Sequence, residues 1–318
     1  MTHFSSENNT DSQTVLNQIV LEFLREQKRK RRGRWIMRLI ILLLIVSLFY
    51  KTPGFMRNDS ALKTKPHAGL IDISGTIFST ETANADDFLK GMESAYKSKG
   101  LQAMIFRINS PGGSPVQADY IYTIIRHYHE RHPKIKTYAV CVDICASAAY
   151  YIAAAADEIY ANPASLVGSI GVLYNGFGFT DTLQKVGVTR RLQTAGVNKG
   201  FLDPFSPEKP EQKAFLQTLL NDVHNQFISR VKEGRGSRLK IDDLTFSGLF
   251  WTGEQALDRG LIDGFASAGD VARAKIKVHQ IINYTHAESM LEKMTKTMGT
   301  IAGNPLGALG LGKSGIEI

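Results

Sequence analysis

Cysteine is scarce in this sequence, with only Cys141 and Cys145 among 318 residues. Two cysteines cannot build a disulfide framework, which excludes a small fold held by disulfides. The composition, with 43% hydrophobic and 21% charged residues, is that of a globular protein and excludes a disordered or collagen-like chain. Because the two cysteines flank an apolar segment, we expect them to pack as small hydrophobic side chains.

A basic surface of the kind that binds nucleic acid is also lacking. The formal charge is +8, from 38 basic and 30 acidic residues. Seven of the basic residues fall within residues 28–38, where no acidic residue occurs. The remaining 31 basic residues nearly balance the 30 acidic ones, so the excess is local and nucleic acid is not an expected partner.

The apolar run that follows the basic cluster is shorter than the roughly 20 residues of a usual membrane-spanning helix. Residues 39–50 (LIILLLIVSLFY) carry no charge. Trp35 and Tyr50 suit the membrane interface and Arg38 can extend toward the basic side, so residues 35–51 are predicted as an uncleaved transmembrane signal anchor. A cleaved signal peptide is the alternative, but no A-x-A-type site follows the run.

The basic cluster also predicts the orientation of the chain, because positive flanks stay in the cytoplasm. Residues 12–27 have the apolar spacing of a short amphipathic helix. The predicted organisation is a cytoplasmic segment at 1–34, the anchor at 35–51, a linker at 52–68, a folded domain at 69–285 and a flexible tail at 286–318.

Strand and helix patterns alternate through the folded domain, which predicts an α/β fold with a largely parallel sheet. Strands are predicted near 70–77, 103–108, 136–142, 158–161 and 169–173. Helices are predicted near 116–129 and 210–232, and an alanine-rich helical stretch at 146–156.

Candidate functional residues lie where two of these strands end. The segment 109–114 (NSPGGS) joins a strand to a helix, and its glycines let backbone N–H groups approach a ligand. A plain turn with Ser114 as the helix N-cap explains the segment without a ligand. Ser147 follows a buried strand at the start of a helix, where the N–H of Ala148 could stabilise an oxyanion; taken alone, Ser147 is also an ordinary N-cap residue.

A serine nucleophile needs a base, and the sequence has no obvious histidine for that task. No GxSxG motif is present, and His127, His129 and His132 form a polar cluster in which solvation is the simpler explanation. A lysine that loses its proton on burial is the remaining option. Lys199 is a candidate because small residues surround it, although spacing alone would make it a surface lysine.

A nucleotide site is not expected either. Residues 307–314 satisfy the pattern GxxxxGKS. That loop must open a helix, and only four residues follow its serine in this sequence.

Taken together, the segments resemble the signal peptide peptidase A family of serine peptidases over roughly residues 69–280. Five motifs in order support the resemblance: NSPGGS at 109–114, CASAAYYIA at 145–153, ASLVGSIGV at 164–172, AGVNKGFLDPF at 195–205 and FSGLFWTGEQALDRGLIDG at 246–264.

The resemblance implies specific roles for five residues. Ser147 matches the family nucleophile and Lys199 its general base. Gly113 and Ala148 match the backbone positions of the oxyanion hole, and Ser169 matches a serine that orients the lysine. The family has a Clp-protease-like or crotonase-like α/β fold, here behind a single N-terminal transmembrane helix, and requires neither metal nor cofactor.

The resemblance also implies a setting and partners. The substrates would be cleaved signal peptides and similar apolar peptides, at the inner membrane of a bacterium, with a cytoplasmic N-terminus and the catalytic domain on the outer side. Membrane lipid is an expected partner. A homo-oligomeric ring, whose neighbouring subunits build the substrate groove, is expected as well.

Two features of the sequence limit this interpretation. Many relatives have two glycines after the nucleophile, whereas this chain has Ala148 and Ala149, which keep the N–H but narrow the space for substrate. The motif at 250–264 offers no catalytic group and is interpreted as scaffold. Two alternatives stay open: a crotonase-type acyl-CoA hydratase or isomerase, and a catalytically idle anchored scaffold. The first would need acidic catalytic residues near the oxyanion loops.

Overall fold

A computed structural model describes residues 28–33, 35–44, 47 and 63–287. The predicted helix at 12–27, residues 52–62 of the linker, residues 288–318 of the tail and the run at 307–314 lie outside the described residues, as does part of the predicted anchor. Residues 28–33, 35–44 and 47 are helical, with exposed side chains. Within the described ranges, no helix is both long enough and apolar enough to cross a membrane.

The chain divides into two units, residues 1–60 and 61–318. The second unit contains the sheet. Its strands are β1 (His67–Ser74), β2 (Leu101–Ser110), β3 (Lys136–Ala146), β4 (Glu158–Ala161), β5 (Leu166–Gly168), β6 (Phe250–Thr252), β7 (Gly264–Phe265) and β8 (Ile281–Asn283). Its helices are α1 (Ala85–Tyr96), α2 (Pro115–Arg131), α3 (Ala148–Ala153), α4 (Thr180–Lys185), α5 (Pro210–Arg235), α6 (Gly253–Asp258) and α7 (Ala268–Asp270).

The described strands form one sheet in the order β6-β5-β3-β2-β1-β8, with β4 paired to β3 and β7 paired to β4. The pairings are parallel except that of β5 with β6. The prediction of an α/β fold with a largely parallel sheet is therefore confirmed. Strand β1 begins at His67, two residues before the predicted start of the domain at 69.

Apolar side chains cover both faces of the sheet. Along β2, Met104 and Phe106 belong to the larger core, together with side chains of α1, α2, α3 and α5. Ala103 and Ile105 belong to the smaller core on the opposite side. Successive residues of a strand point to opposite faces, so a strand covered on both sides needs an uninterrupted apolar run such as AMIF.

Strand β3 carries the chain to the candidate site through an irregular stretch. Its residues Tyr138–Val140 pair with β4, whereas Ile144–Ala146 pair with β5. Against β2, the register moves from Ile108↔Cys141 to Ser110↔Cys145, so β3 has two extra residues there. Bulges of this kind re-aim the chain next to functional sites, and Ser147 follows directly.

The strand predicted at 169–173 is wrong. The strand β5 lies earlier, at Leu166–Gly168, and residues 169–173 have no regular structure. The physical reason is the backbone at its end, where φ is 110° at Gly168 and 51° at Ser169. An extended strand cannot continue through these angles, and the chain turns out of the sheet instead.

Candidate active site

Ser147 occupies a strained position between β3 and α3. Its backbone has φ 55° and ψ −126°, a region that L-residues rarely adopt. Its N–H donates to the Gly168 carbonyl at 2.8 Å, and its own carbonyl accepts from the Tyr151 N–H at 3.0 Å. Although Ser147 is at the N-cap position, its side chain makes no capping hydrogen bond. The hydroxyl is therefore not used for helix capping, which was the ordinary explanation of this serine.

The glycine loop between β2 and α2 passes directly beside Ser147. Gly112 has φ 110°, and a Cβ there would lie 2.8 Å from the Cβ of Ser147. Gly113 has φ 150°, and a Cβ there would lie 2.1 Å from the carbonyl oxygen of Ile77. A side chain at either position would force the neighbouring chain to move. The close contacts of the loop with Ser147 and with Ile77 therefore require glycine at both positions.

A side-chain clamp holds this loop against the strand of the nucleophile. The amide of Asn109 donates to the carboxylate of Asp143 at 2.8 Å, and its carbonyl accepts from the Ile144 N–H at 3.1 Å. The loop also closes on itself, since the Gly112 N–H donates to the buried Ser110 hydroxyl at 3.1 Å. The sequence reasoning missed Asn109 and Asp143; the signal was an asparagine at a strand end, immediately before a glycine turn.

A cleft of about 840 Å³ opens above Ser147. Gly113, Ala148 and Ser169 line it with Ser147, so the structure brings four of the five predicted site residues together. The N–H of Ala148 lies in the first turn of α3, where N–H groups have no partner within the helix. Most of the remaining wall is apolar, from α2, α5 and residues 171–173: Pro115, Val116, Tyr120, Val172, Leu173, Val223 and Phe227.

Lys199 does not join this group. It is exposed on the segment 174–209, and it is absent from the described residues that line the cleft. Its backbone N–H donates to the Gly196 carbonyl at 3.1 Å, and the neighbouring Val197 is 90% exposed. The expectation that Lys199 is buried is wrong, because this residue is exposed in the part of the chain that the structure describes.

The cleft also contains a polar group that the sequence reasoning missed. Asp119 and Tyr151 line the cleft, and the Tyr151 hydroxyl donates to Asp119 at 2.8 Å. Arg230 of α5 donates to the same carboxylate oxygen at 3.2 Å. Burial, and then the hydrogen bond to Asp119, raise the pKa of the Tyr151 hydroxyl, which stays a donor over the physiological range.

The motif at 250–264 has a structural role in this fold. The carboxylate of Asp263 receives two hydrogen bonds from the fully buried Arg235, at 2.8 and 2.9 Å, and one from the Ile159 N–H at 2.7 Å. Arg235 also donates to the Gly260 carbonyl at 2.9 Å. These bonds fasten the end of α5 to the sheet. Among the described residues that line the cleft, none comes from this motif.

The sequence was compared with known families and proteins. The family model of peptidase family S49 matches residues 129–281. The Na(+)/H(+) antiporter NhaA of Brucella abortus is 41% identical over 71% of this chain and 29% of that protein. A protein of Synechocystis sp. named as a protease, slr0021, is 34% identical over 65% of this chain and 72% of its own length. A protein of Enterococcus faecium named as a signal peptide peptidase, SppA, is 26% identical over 73% of this chain and 67% of its own length.

The shares of length differ among these relatives. The chain spans only 29% of the length of the two Brucella antiporters named NhaA. Most of each antiporter therefore has no counterpart in this chain. It spans about two thirds or more of the two bacterial proteins named as a protease and as a signal peptide peptidase.

Proposed function

The chain belongs to the peptidase S49 family, and from this premise we propose that it is a membrane-anchored serine endopeptidase that hydrolyses cleaved signal peptides and similar apolar peptides. The family membership agrees with the resemblance to signal peptide peptidase A. The proposed catalytic domain has the Clp-protease-like or crotonase-like variant of the α/β fold. It lies outside the cytoplasm, behind a signal anchor at 35–51.

The observation that carries the proposal is the geometry of Ser147. The residue combines a strained backbone, a hydroxyl without a capping bond and a place in the cleft. Strain of this kind persists only where the surroundings impose it, and it is concentrated at functional sites. A sharp turn from strand to helix also presents the nucleophile in enzymes that have the GxSxG motif, which this chain lacks.

In the proposed reaction, the Ser147 hydroxyl oxygen bonds to the carbonyl carbon of the scissile peptide. Lys199 accepts the hydroxyl proton and then gives it to the leaving amine, and water subsequently hydrolyses the Ser147 ester. The N–H groups of Gly113 and Ala148 stabilise the oxyanion of each tetrahedral intermediate. The Ser169 hydroxyl holds the lysine amine in position.

We further propose that Lys199 reaches Ser147 from a second copy of the chain. The exposed segment 174–209 supports this, because several large apolar side chains are uncovered there. Phe177 and Val197 in the segment are 75% and 90% exposed, and Leu173, which immediately precedes it, is 81% exposed. Apolar surface of this kind marks an interaction site, and a ring of identical subunits would cover it and complete each site with its neighbour's lysine.

The assignment of the nucleophile is tested with a fluorophosphonate serine probe and mass mapping on the full-length protein in detergent. We expect labelling at Ser147 in the parent chain and in Ser169→Ala, and none in Ser147→Ala. Labelling that is retained in Ser147→Ala, or found at another serine, would contradict the assignment.

The dyad is tested by peptide hydrolysis. Ser147→Ala and Lys199→Ala should each reduce kcat/KM by about a thousandfold or more, and the double variant should be no worse than either, because the residues act as a unit. Near-normal hydrolysis by Lys199→Ala, with an intact fold by circular dichroism, would exclude that lysine as the base.

A further inference from the structure

Asp119 is the one carboxylate among the described residues that line the cleft of Ser147. It lies on α2, and its side chain is 42% exposed. Its neighbours on the same helix, Val116 and Tyr120, also line the cleft and are each 56% exposed. The cleft therefore has apolar walls and a single negative charge.

The carboxylate of Asp119 is held in place from one side. Its Oδ1 atom accepts from the Tyr151 hydroxyl at 2.8 Å and from Arg230 Nε at 3.2 Å. Among the described residues no donor is bonded to its Oδ2 atom, which leaves that atom for a donor on a bound molecule. Tyr151, which holds Asp119, lies about one helical turn after the N-cap residue Ser147, and all three residues line the same cleft. A substrate that occupies this cleft would therefore meet both Ser147 and Asp119.

Arg230 does not cancel the negative charge of this site. It also donates to Glu233 at 3.3 Å, so that one cation lies between two carboxylates and the three groups together carry a charge of −1. Neither Arg230 nor Glu233 lines the cleft, whereas Asp119 does. The side of the group that a substrate meets is therefore the acidic one.

We propose that Asp119 forms a subsite for a lysine or arginine side chain of the substrate, an inference that rests on the proposed peptidase function. A lysine or arginine has a long apolar stem that suits the walls formed by Val116 and Tyr120, and a charged end that suits the carboxylate. A charge-assisted hydrogen bond to Oδ2 would orient the substrate at Ser147. The basic region that precedes the apolar core of a signal peptide offers such side chains.

The test uses pairs of peptides that differ only by lysine or norleucine at one position. Successive pairs place this position at different sites on either side of the scissile bond. In the parent enzyme, kcat/KM should favour lysine over norleucine at one position. In Asp119→Asn, which keeps an oxygen for Tyr151 and Arg230, the ratio should fall about tenfold. In Glu130→Gln, the matched control, which removes an exposed carboxylate of the same helix that does not line the cleft, the ratio should stay as in the parent.

Affinity gives a second measurement that does not depend on turnover. In an enzyme that carries Ser147→Ala, the further change Asp119→Asn should weaken binding of the labelled lysine peptide about tenfold. The affinity for the norleucine peptide should stay unchanged. Equal ratios in the parent and Asp119→Asn, in both rate and affinity, would overturn the subsite. If the parent cleaves no peptide, the proposed function fails, and the affinities alone still decide whether Asp119 selects a basic side chain.

Discussion

At the scale of single residues, the backbone of Ser147 is strained. A backbone at φ 55° and ψ −126° costs an L-residue about 1–3 kcal/mol, and the surrounding hydrogen bonds must impose it. Those bonds are present: the Ser147 N–H is held by Gly168 and its carbonyl by Tyr151. The proposed role of Ser147 as the nucleophile would explain why a side chain is kept where glycine would fit better.

The strain at Ser147 predicts an order of stability between two inactive variants. Ser147→Gly should unfold at higher urea concentration than Ser147→Ala, by about 1 kcal/mol or more in the free energy of unfolding, because glycine adopts these angles readily. The control is Ser229 inside α5, where glycine should be about 1 kcal/mol less stable than alanine. An alanine variant at 147 that is as stable as the glycine variant would mean that the backbone is not strained.

At the scale of elements, a buried ion pair fastens α5, which forms one wall of the cleft. Arg235 at its end is fully buried and bonded to Asp263, which precedes β7 and accepts a hydrogen bond from the backbone N–H of Ile159 in β4. Val223 and Phe227, further toward the start of the same helix, line the cleft. The pair thus supports the cleft from a distance, as scaffold rather than as catalytic machinery.

Removing this pair should destabilise the fold in a pH-dependent way. Burial by itself raises the pKa of Asp263, but hydrogen bonds and charge from Arg235, the Ile159 N–H and Arg238 outweigh it, so that pKa lies below its usual value. Its stabilising contribution is therefore present above the unfolded pKa, near 3.9, and is lost as the pH falls through the folded value. Asp263→Asn should cost about 3 kcal/mol at pH 7, since it leaves Arg235 buried without its partner charge.

Urea unfolding at a series of pH values tests this prediction. The difference between the parent and Asp263→Asn should begin to shrink below about pH 4, where the carboxylate of the unfolded chain becomes neutral, and should be lost as the pH falls through the lower pKa of the folded state. Glu93→Gln is the control, because the Glu93–Lys97 pair is exposed and such pairs contribute about 0.2–1 kcal/mol. A constant difference from pH 7 to pH 3 would show that the charge of Asp263 is not what stabilises the pair.

The elements that could be predicted from the sequence are those whose pattern is local. The apolar run of β2 and the Ser114 cap of α2 follow from adjacent residues, and the structure has both. The end of β5 could not be predicted, since the turn at Ser169 depends on its hydrogen bond to Leu249, which is 80 residues away. Asp119 was missed for the same reason: its partner Arg230 lies on another helix.

At the scale of the whole molecule, one copy of the chain does not bring all five candidate residues together in the structure described. Gly113, Ser147, Ala148 and Ser169 share a cleft, while Lys199 is exposed outside it. Motifs in one sequence indicate which residues belong to a reaction, but they do not state which copy supplies each residue. The uncovered apolar side chains of segment 174–209 favour a neighbouring copy as the source of the lysine.

Shared sites predict that two inactive chains can restore activity to each other. When Ser147→Ala and Lys199→Ala, carrying different affinity tags, are produced in the same cells and purified through both tags, hydrolysis should return. Random mixing in a ring leaves about a quarter of the sites with an intact serine and an intact neighbouring lysine, so activity should approach about a quarter of that of the parent. The control pairs Ser147→Ala with the double variant Ser147→Ala/Lys199→Ala, which has no intact serine and should stay inactive. If the first pair assembles together yet hydrolyses no peptide, each chain must supply its own lysine, and segment 174–209 would then have to fold back over the cleft of its own chain.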